Sequence, residues 1–119
     1  LNYNNLLLAT YYALVDTEAL MSLIDTFLIY IIRNRKMTNV RKKQYTNFLR
    51  FAKKITILKQ QPRTYGGPSK EEKFAQLYLQ IKQSANIVNR YWLENTCRDE
   101  AGAELERLLA IESTENPQG

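Results

Sequence analysis

Cys97 is the single thiol of this chain, and Arg98 stands beside it. A neighbouring cation lowers a thiol's pKa and favours the nucleophilic thiolate. The chain has no histidine, so the usual general base is missing and neither a Ser-His-Asp nor a Cys-His arrangement can form. Cys97 therefore reads as a buried structural thiol, and one cysteine without a partner suits a reducing compartment. Asp16, Glu18 and Asp25 lie close in sequence. The first two fall where a helix begins, and carboxylates there favour the helix dipole. No carboxylate spacing resembles a metal site. Gly66-Gly67 would suit a phosphate loop, but no Gly-Lys-Ser/Thr follows and no strand is expected before it, so it reads as a linker turn. Tyr91 and Trp92 could form a stacking platform for a ligand. Trp92, however, falls on an apolar stripe and reads as packing. The sequence predicts no catalytic residue, no cofactor and no metal.

What remains is charge. Between Asp25 and Glu71 there is no acidic residue, whereas the same window holds Arg33, Arg35, Lys36, Arg41, Lys42, Lys43, Arg50, Lys53, Lys54, Lys59, Arg63 and Lys70. The net charge of +5 thus conceals a basic segment set between acidic flanks. On a helical wheel Lys42, Lys43, Arg50, Lys53 and Lys54 fall together, opposite an apolar arc of about 180°. Like charges at i, i+3 and i+4 repel by a few tenths of a kcal/mol each. Several things can offset that repulsion: an anionic partner (nucleic acid, an acidic protein or a membrane surface), the chain's own Glu94, Asp99, Glu100, Glu104 and Glu106 lying against this face, or plain solvation of the Lys/Arg surface. No interleaving of aromatic and basic residues of the kind that reads RNA is present, and the connection ahead of the basic helix lacks the tight Gly-type turn of a DNA-reading helix pair.

The elements that must carry these residues are helices. Gly and Pro together number seven, and four of them (Pro62, Gly66, Gly67, Pro68) share one short window. Periodicity predicts a first helix over about 3–14, a turn at Val15-Asp16-Thr17, and a second helix over about 17–34 with Leu20, Leu23, Ile24, Phe27, Leu28 and Ile31 on one face. The run Phe27-Leu28-Ile29-Tyr30-Ile31-Ile32, bracketed by Asp25 and Arg33, is too short to span a bilayer and predicts a helix buried on most sides. A basic helix follows over 35–59 and, from the width of its apolar arc, should meet more than one neighbour. After a linker over 60–68, Ser69 and Glu72 form a capping-box pattern. They open a long helix over 69–97 with the stripe Phe74, Leu77, Ile81, Ala85, Val88, Trp92. Gly102 interrupts it, a short helix is expected within 98–112, and 113–119 reads as a frayed tail.

The segment Leu7 to Leu28 resembles the tetratricopeptide repeat, a helical pair that stacks into scaffolds for protein binding. Leu7, Tyr11 and Leu14 fall where the motif's first helix carries Leu, Tyr and a hydrophobic residue, and Ala19 falls one residue before the small position of its second helix. Asn4, Leu8 and Val15 depart from the motif. The family's period of about 34 residues would carry Tyr11 to Tyr45 and Leu14 to Phe48, but it carries Ala19 to Lys53 inside an unbroken helix. The pattern is therefore one repeat followed by longer helices. It is also similar to the C-terminal region of large bacterial repeat proteins, through Asn34-Arg35-Lys36, the segment from Tyr45 to Phe51, and Trp92-Leu93. That likeness carries no activity.

These readings predict one all-α domain over 1–112 with four or five helices in antiparallel hairpins, the capping C-terminal segment of a tetratricopeptide-like α-solenoid. The start at Leu1 fits a piece of a longer chain. The expected function is non-catalytic: a cytoplasmic scaffold that binds a protein through Arg35, Lys36, Lys42, Lys43, Arg50, Lys53 and Lys54. The alternative is a nucleic-acid-binding module that uses the basic region 33–63. No membrane span is expected, and self-association through the exposed side of the first hairpin is compatible with this architecture.

Overall fold

The computed structural model describes residue 12, residues 16–63 and residues 65–115. Among these the secondary structure consists of five α-helices and no strand: α1 (Thr17–Arg33), α2 (Asn39–Gln60), α3 (Lys70–Gln83), α4 (Arg90–Ala101) and α5 (Ala103–Glu115). The first helix of the expected hairpin, apart from Tyr12, lies outside the described residues.

Three helices start where a side-chain oxygen meets a free amide. Asp16 accepts from the Ala19 amide at 3.2 Å, Thr38 from Arg41 at 3.2 Å and Ser69 from Glu72 at 3.1 Å. Each bond satisfies one of the unpaired donors at a helix N-terminus. The capping box is half formed, because the Glu72 carboxylate lies 3.7 Å from the Arg107 guanidinium. Substituting Asp16, Thr38 or Ser69 by Ala should each cost about 1 kcal/mol. The three sites belong to different helices, so the losses should add in urea denaturation of the triple variant.

The core is one cluster. It takes Leu20, Ile24, Phe27 and Ile31 from α1, and Tyr45, Phe48, Leu49, Ala52 and Ile55 from α2. Phe74, Ala75, Leu77, Tyr78 and Ile81 come from α3, Leu93, Cys97 and Ala101 from α4, and Leu105 from α5. The strongest packing is α3 on α4, followed by α1 on α2 and α3 on α5, while α2 also meets α3 and α4. The wide apolar arc of the basic helix thus serves three neighbours, as its width predicts. Buried Thr56 bonds its hydroxyl back to the Ala52 carbonyl at 2.8 Å, so no polar atom is stranded there.

Three expectations need correction. The helix predicted over 69–97 is two helices, broken at Ser84–Asn89. The apolar stripe keeps its rhythm across the break. However, Asn86 and Asn89 adopt left-handed backbone at φ 57° and 52°, a conformation Asn tolerates better than most residues. The Arg90 guanidinium also donates to the carbonyls of Ile81 and Ser84, closing the end of α3 from the start of α4. The last helix begins at Ala103, after Gly102 turns the chain at φ 57°, and continues through Glu115, so Ser113–Glu115 are helical where a frayed tail was predicted. Finally, the run Phe27 to Ile32 is not buried on most sides. Phe27 and Ile31 are buried, but Ile29, Tyr30 and Ile32 are 51%, 55% and 67% exposed. The reason is position: among the described residues α1 rests chiefly on α2, which covers one stripe of it.

Candidate functional site

On α2, Lys43, Asn47, Arg50, Lys54 and Ile57 recur at steps of four and three residues and so share one face. The loop that breaks the predicted long helix lies across from them. The Asn47 side-chain amide donates to the Asn86 carbonyl at 3.2 Å, and the Val88 amide donates to the Gln44 carbonyl at 3.4 Å. These two bonds clip the loop to α2. Between them lies a groove of about 600 Å³ lined by Lys43, Asn47, Arg50, Phe51, Lys53, Lys54, Ile57, Ser84, Ala85 and Asn86. Four cations surround it, its apolar surface comes from Phe51, Ile57 and Ala85, and among the described residues no carboxylate lines it.

Among the described residues, Lys43 and Arg50 have no ion-pair partner. Lys54 sits over the Phe51 ring at 5.4 Å. Lys53 lies 4.0 Å from Asp25, both side chains being largely in water, so this pair holds the lysine weakly. Of the five C-terminal carboxylates considered, Glu100 is the one that pairs with the basic segment among the described residues, meeting Lys59 at 2.5 Å. Of the other acidic residues considered, Glu94 faces Lys82 at 3.4 Å and Glu104 pairs with Arg107 at 2.8 Å.

The seven sequence-predicted residues therefore separate. Lys43, Arg50, Lys53 and Lys54 share the groove. Lys42 donates to the Ile32 carbonyl at 3.2 Å, where a cation complements the negative end of α1. Arg35 and Lys36 lie at the α1–α2 turn, in a second hollow with Arg33, Ile29 and Tyr30. Sequence reasoning missed Asn47, Phe51, Ile57 and the Ser84–Asn86 wall. The local signal for the wall is masked: Ser84, Asn86 and Asn89 crowd helix-disfavouring residues into six positions, but the apolar stripe runs on across them.

The residues weighed for chemistry fall elsewhere. Trp92 packs edge-on against Tyr12 (ring centroids 5.7 Å apart) and Phe48 (6.1 Å), whereas Tyr91 is exposed. Gly66 and Gly67 take φ 83° and 73° in the α2–α3 linker, a backbone that favours glycine. Arg63 holds that linker to Glu71 through two bonds of 2.8 and 3.2 Å. Among the described residues no three His, Cys, Asp or Glu side chains converge to hold a metal ion.

Cys97 is fully buried. Burial, and secondarily the Glu100 charge, push its thiol up from 9.0 to about 12. The neighbouring Arg98 turns away to the Tyr78 hydroxyl at 2.9 Å. A thiol held protonated in the folded state, but free to ionise when unfolded, adds stability that is complete below pH 9. That stability is lost as pH rises from there toward 12, at roughly 1.4 kcal/mol per pH unit. Burial also raises the Tyr12 hydroxyl, with Glu100 adding to it, which steepens the loss above pH 10. Urea midpoints should fall across this alkaline window, and less steeply in Cys97→Ala.

Compared with known proteins, the chain matches no family model, no curated protein and no solved structure.

Proposed function

We propose that this chain is a non-catalytic helical interaction module whose α2 groove docks an acidic segment of a protein partner. The supporting observation is the convergence of Lys43, Arg50, Lys53 and Lys54 on a concave, partly apolar surface without a lining carboxylate. Burying uncompensated cations is costly, so such residues stay solvated until an anionic partner arrives. The apolar surface of Phe51, Ile57 and Ala85 favours a peptide over a bare polyanion, because it offers a place for an aliphatic side chain between carboxylates. The wider reading is a capping segment of a tetratricopeptide-like α-solenoid with antiparallel hairpins. A reducing compartment such as the cytoplasm suits its single thiol.

Fluorescence anisotropy tests this reading with two probes: a helical peptide carrying Glu at i, i+4, i+7 and i+11 with one Leu among them, and a random-sequence DNA duplex. The peptide should bind more tightly. The triple variant K43E/R50E/K54E should bind it about 150-fold more weakly, from roughly 1 kcal/mol per charge. Tighter binding of the duplex would favour the nucleic-acid alternative, particularly with a loss of roughly 150-fold between about 50 and 200 mM salt, as expected for four phosphate contacts. If neither probe binds, the groove is not a docking site.

A further inference from the structure

The turn between α1 and α2 carries a second surface, separate from the groove. In the last two turns of α1, Ile29, Tyr30 and Ile32 point away from the buried stripe and are more than half exposed. Val40, in the first turn of α2, is 62% exposed. Between them the connecting segment supplies Arg33, Arg35 and Lys36. The first two turns of the same α1 face are polar, with Glu18, Ser22 and Asp25 exposed. A neighbouring helix packed along α1 would need an apolar stripe over its whole length. Here the apolar patch is confined to one end.

That end is also uniformly cationic. Residues 26–43 contain six Lys and Arg and no Asp or Glu. Arg33, Arg35 and Lys36 have no ion-pair partner among the described residues, and with Thr26, Ile29, Tyr30 and Asn34 they line a hollow of about 710 Å³. The turn is held in shape by Asn34, whose side-chain oxygen accepts the Lys36 amide at 2.9 Å while its amide donates to the Tyr30 hydroxyl at 3.4 Å. Aliphatic side chains and a tyrosine ringed by long basic ones fit the boundary of an anionic bilayer. Apolar groups enter the acyl region there, the tyrosine lies at headgroup level and the cations reach lipid phosphates and carboxylates. Nucleic acid would use the cations but leave the four apolar side chains in water.

We infer that the α1–α2 turn is a peripheral membrane-contact tip that adsorbs to anionic lipid through Ile29, Tyr30, Ile32 and Val40, with Arg33, Arg35 and Lys36 facing the headgroups. No helix among the described residues is long and apolar enough to cross a membrane, so the contact is superficial and reversible.

Sedimentation of the full chain with sucrose-loaded vesicles tests this. Vesicles of phosphatidylcholine and phosphatidylserine should pull the protein down, and vesicles of phosphatidylcholine alone should not. Arg35→Gln with Lys36→Gln should weaken binding roughly 25-fold, from about fivefold per charge. Ile29→Ser with Ile32→Ser should weaken it at least about tenfold. All four positions are exposed, and circular dichroism should show unchanged helicity. A second readout labels Ile32→Cys with an environment-sensitive dye, Cys97 being buried and out of reach. Its emission should shift to the blue on anionic vesicles. The inference is overturned if the Ile variants bind as tightly as wild type, or if binding is lost only in the groove variant K43E/R50E/K54E. It is also overturned if the dye responds to an acidic peptide and not to vesicles, which would assign the tip to a protein. Because the groove variant leaves the tip intact, failure here is distinct from failure of the groove.

Discussion

Replacing Phe48 by alanine should remove about 3–5 kcal/mol of stability, the largest single loss expected in this chain. Phe48 is 0% exposed and sits on the helix shared by three neighbours. Its ring meets Trp92 of α4 edge-on, at 6.1 Å and 65°, a geometry that adds to the area it buries. Truncation leaves a cavity bounded by helices that cannot close without moving one another, so the cost lies above the transfer term alone. A domain of this size holds only about 5–15 kcal/mol in all. At roughly 4 °C per kcal/mol, the melting temperature should fall by about 12–20 °C. Thermal melts followed by far-UV circular dichroism measure this directly, and Phe48→Leu should recover most of the loss. A loss below about 1.5 kcal/mol would mean that α2 and α4 are not joined through this ring.

Arg50→Glu should do the opposite to stability while weakening acidic-peptide binding about fivefold. Arg50 repels Lys53 at i+3 and Lys54 at i+4 on an exposed helix face. A glutamate there turns both pairs attractive, with Glu placed N-terminal to Lys in the favoured order. Reversing two such terms is worth about 0.5–1 kcal/mol, and the gain should shrink with salt. A variant more stable and less able to bind is the signature of residues kept for a partner at a cost to the fold. If Arg50→Glu destabilised the protein, Arg50 would have a structural role that the fold does not reveal. If it stabilised the protein without weakening peptide binding, the groove would not be the docking surface.

The charge segregation behind both proposals was legible in the sequence, because a stretch from Asp25 to Glu71 without a carboxylate needs no structure to be seen. The cap at Ser69 and the interruption at Gly102 were legible for a similar reason: each is a local event, set by one side chain or one backbone angle. The break at Ser84–Asn89 was not, because Ala85, Val88 and Trp92 continue the rhythm of Phe74, Leu77 and Ile81. A hydrophobic period reports which residues share a face. It does not report where a chain turns when the residues on either side of the turn both pack. The burial of Ile29, Tyr30 and Ile32 was overestimated because periodicity counts apolar residues, not neighbouring elements. The groove escaped for a further reason: Asn47 and Asn86 are 39 residues apart, and such a contact exists only once α3 has ended and the chain has doubled back to α2.

Among the described residues, α1 is held chiefly by α2, while α3, α4 and α5 hold one another. Elements with fewer packed neighbours open locally at lower free energy than the whole fold. The molecule therefore has two clocks. Backbone amides of α1 should exchange with solvent through a partial opening that leaves α3, α4 and α5 folded, whereas those of α3 and α4 should wait for a rarer event, as native-state hydrogen exchange would show. The groove spans α2 and the loop that follows α3, whereas the α1–α2 turn closes the end of α1, so a ligand at either one should slow a different set of amides.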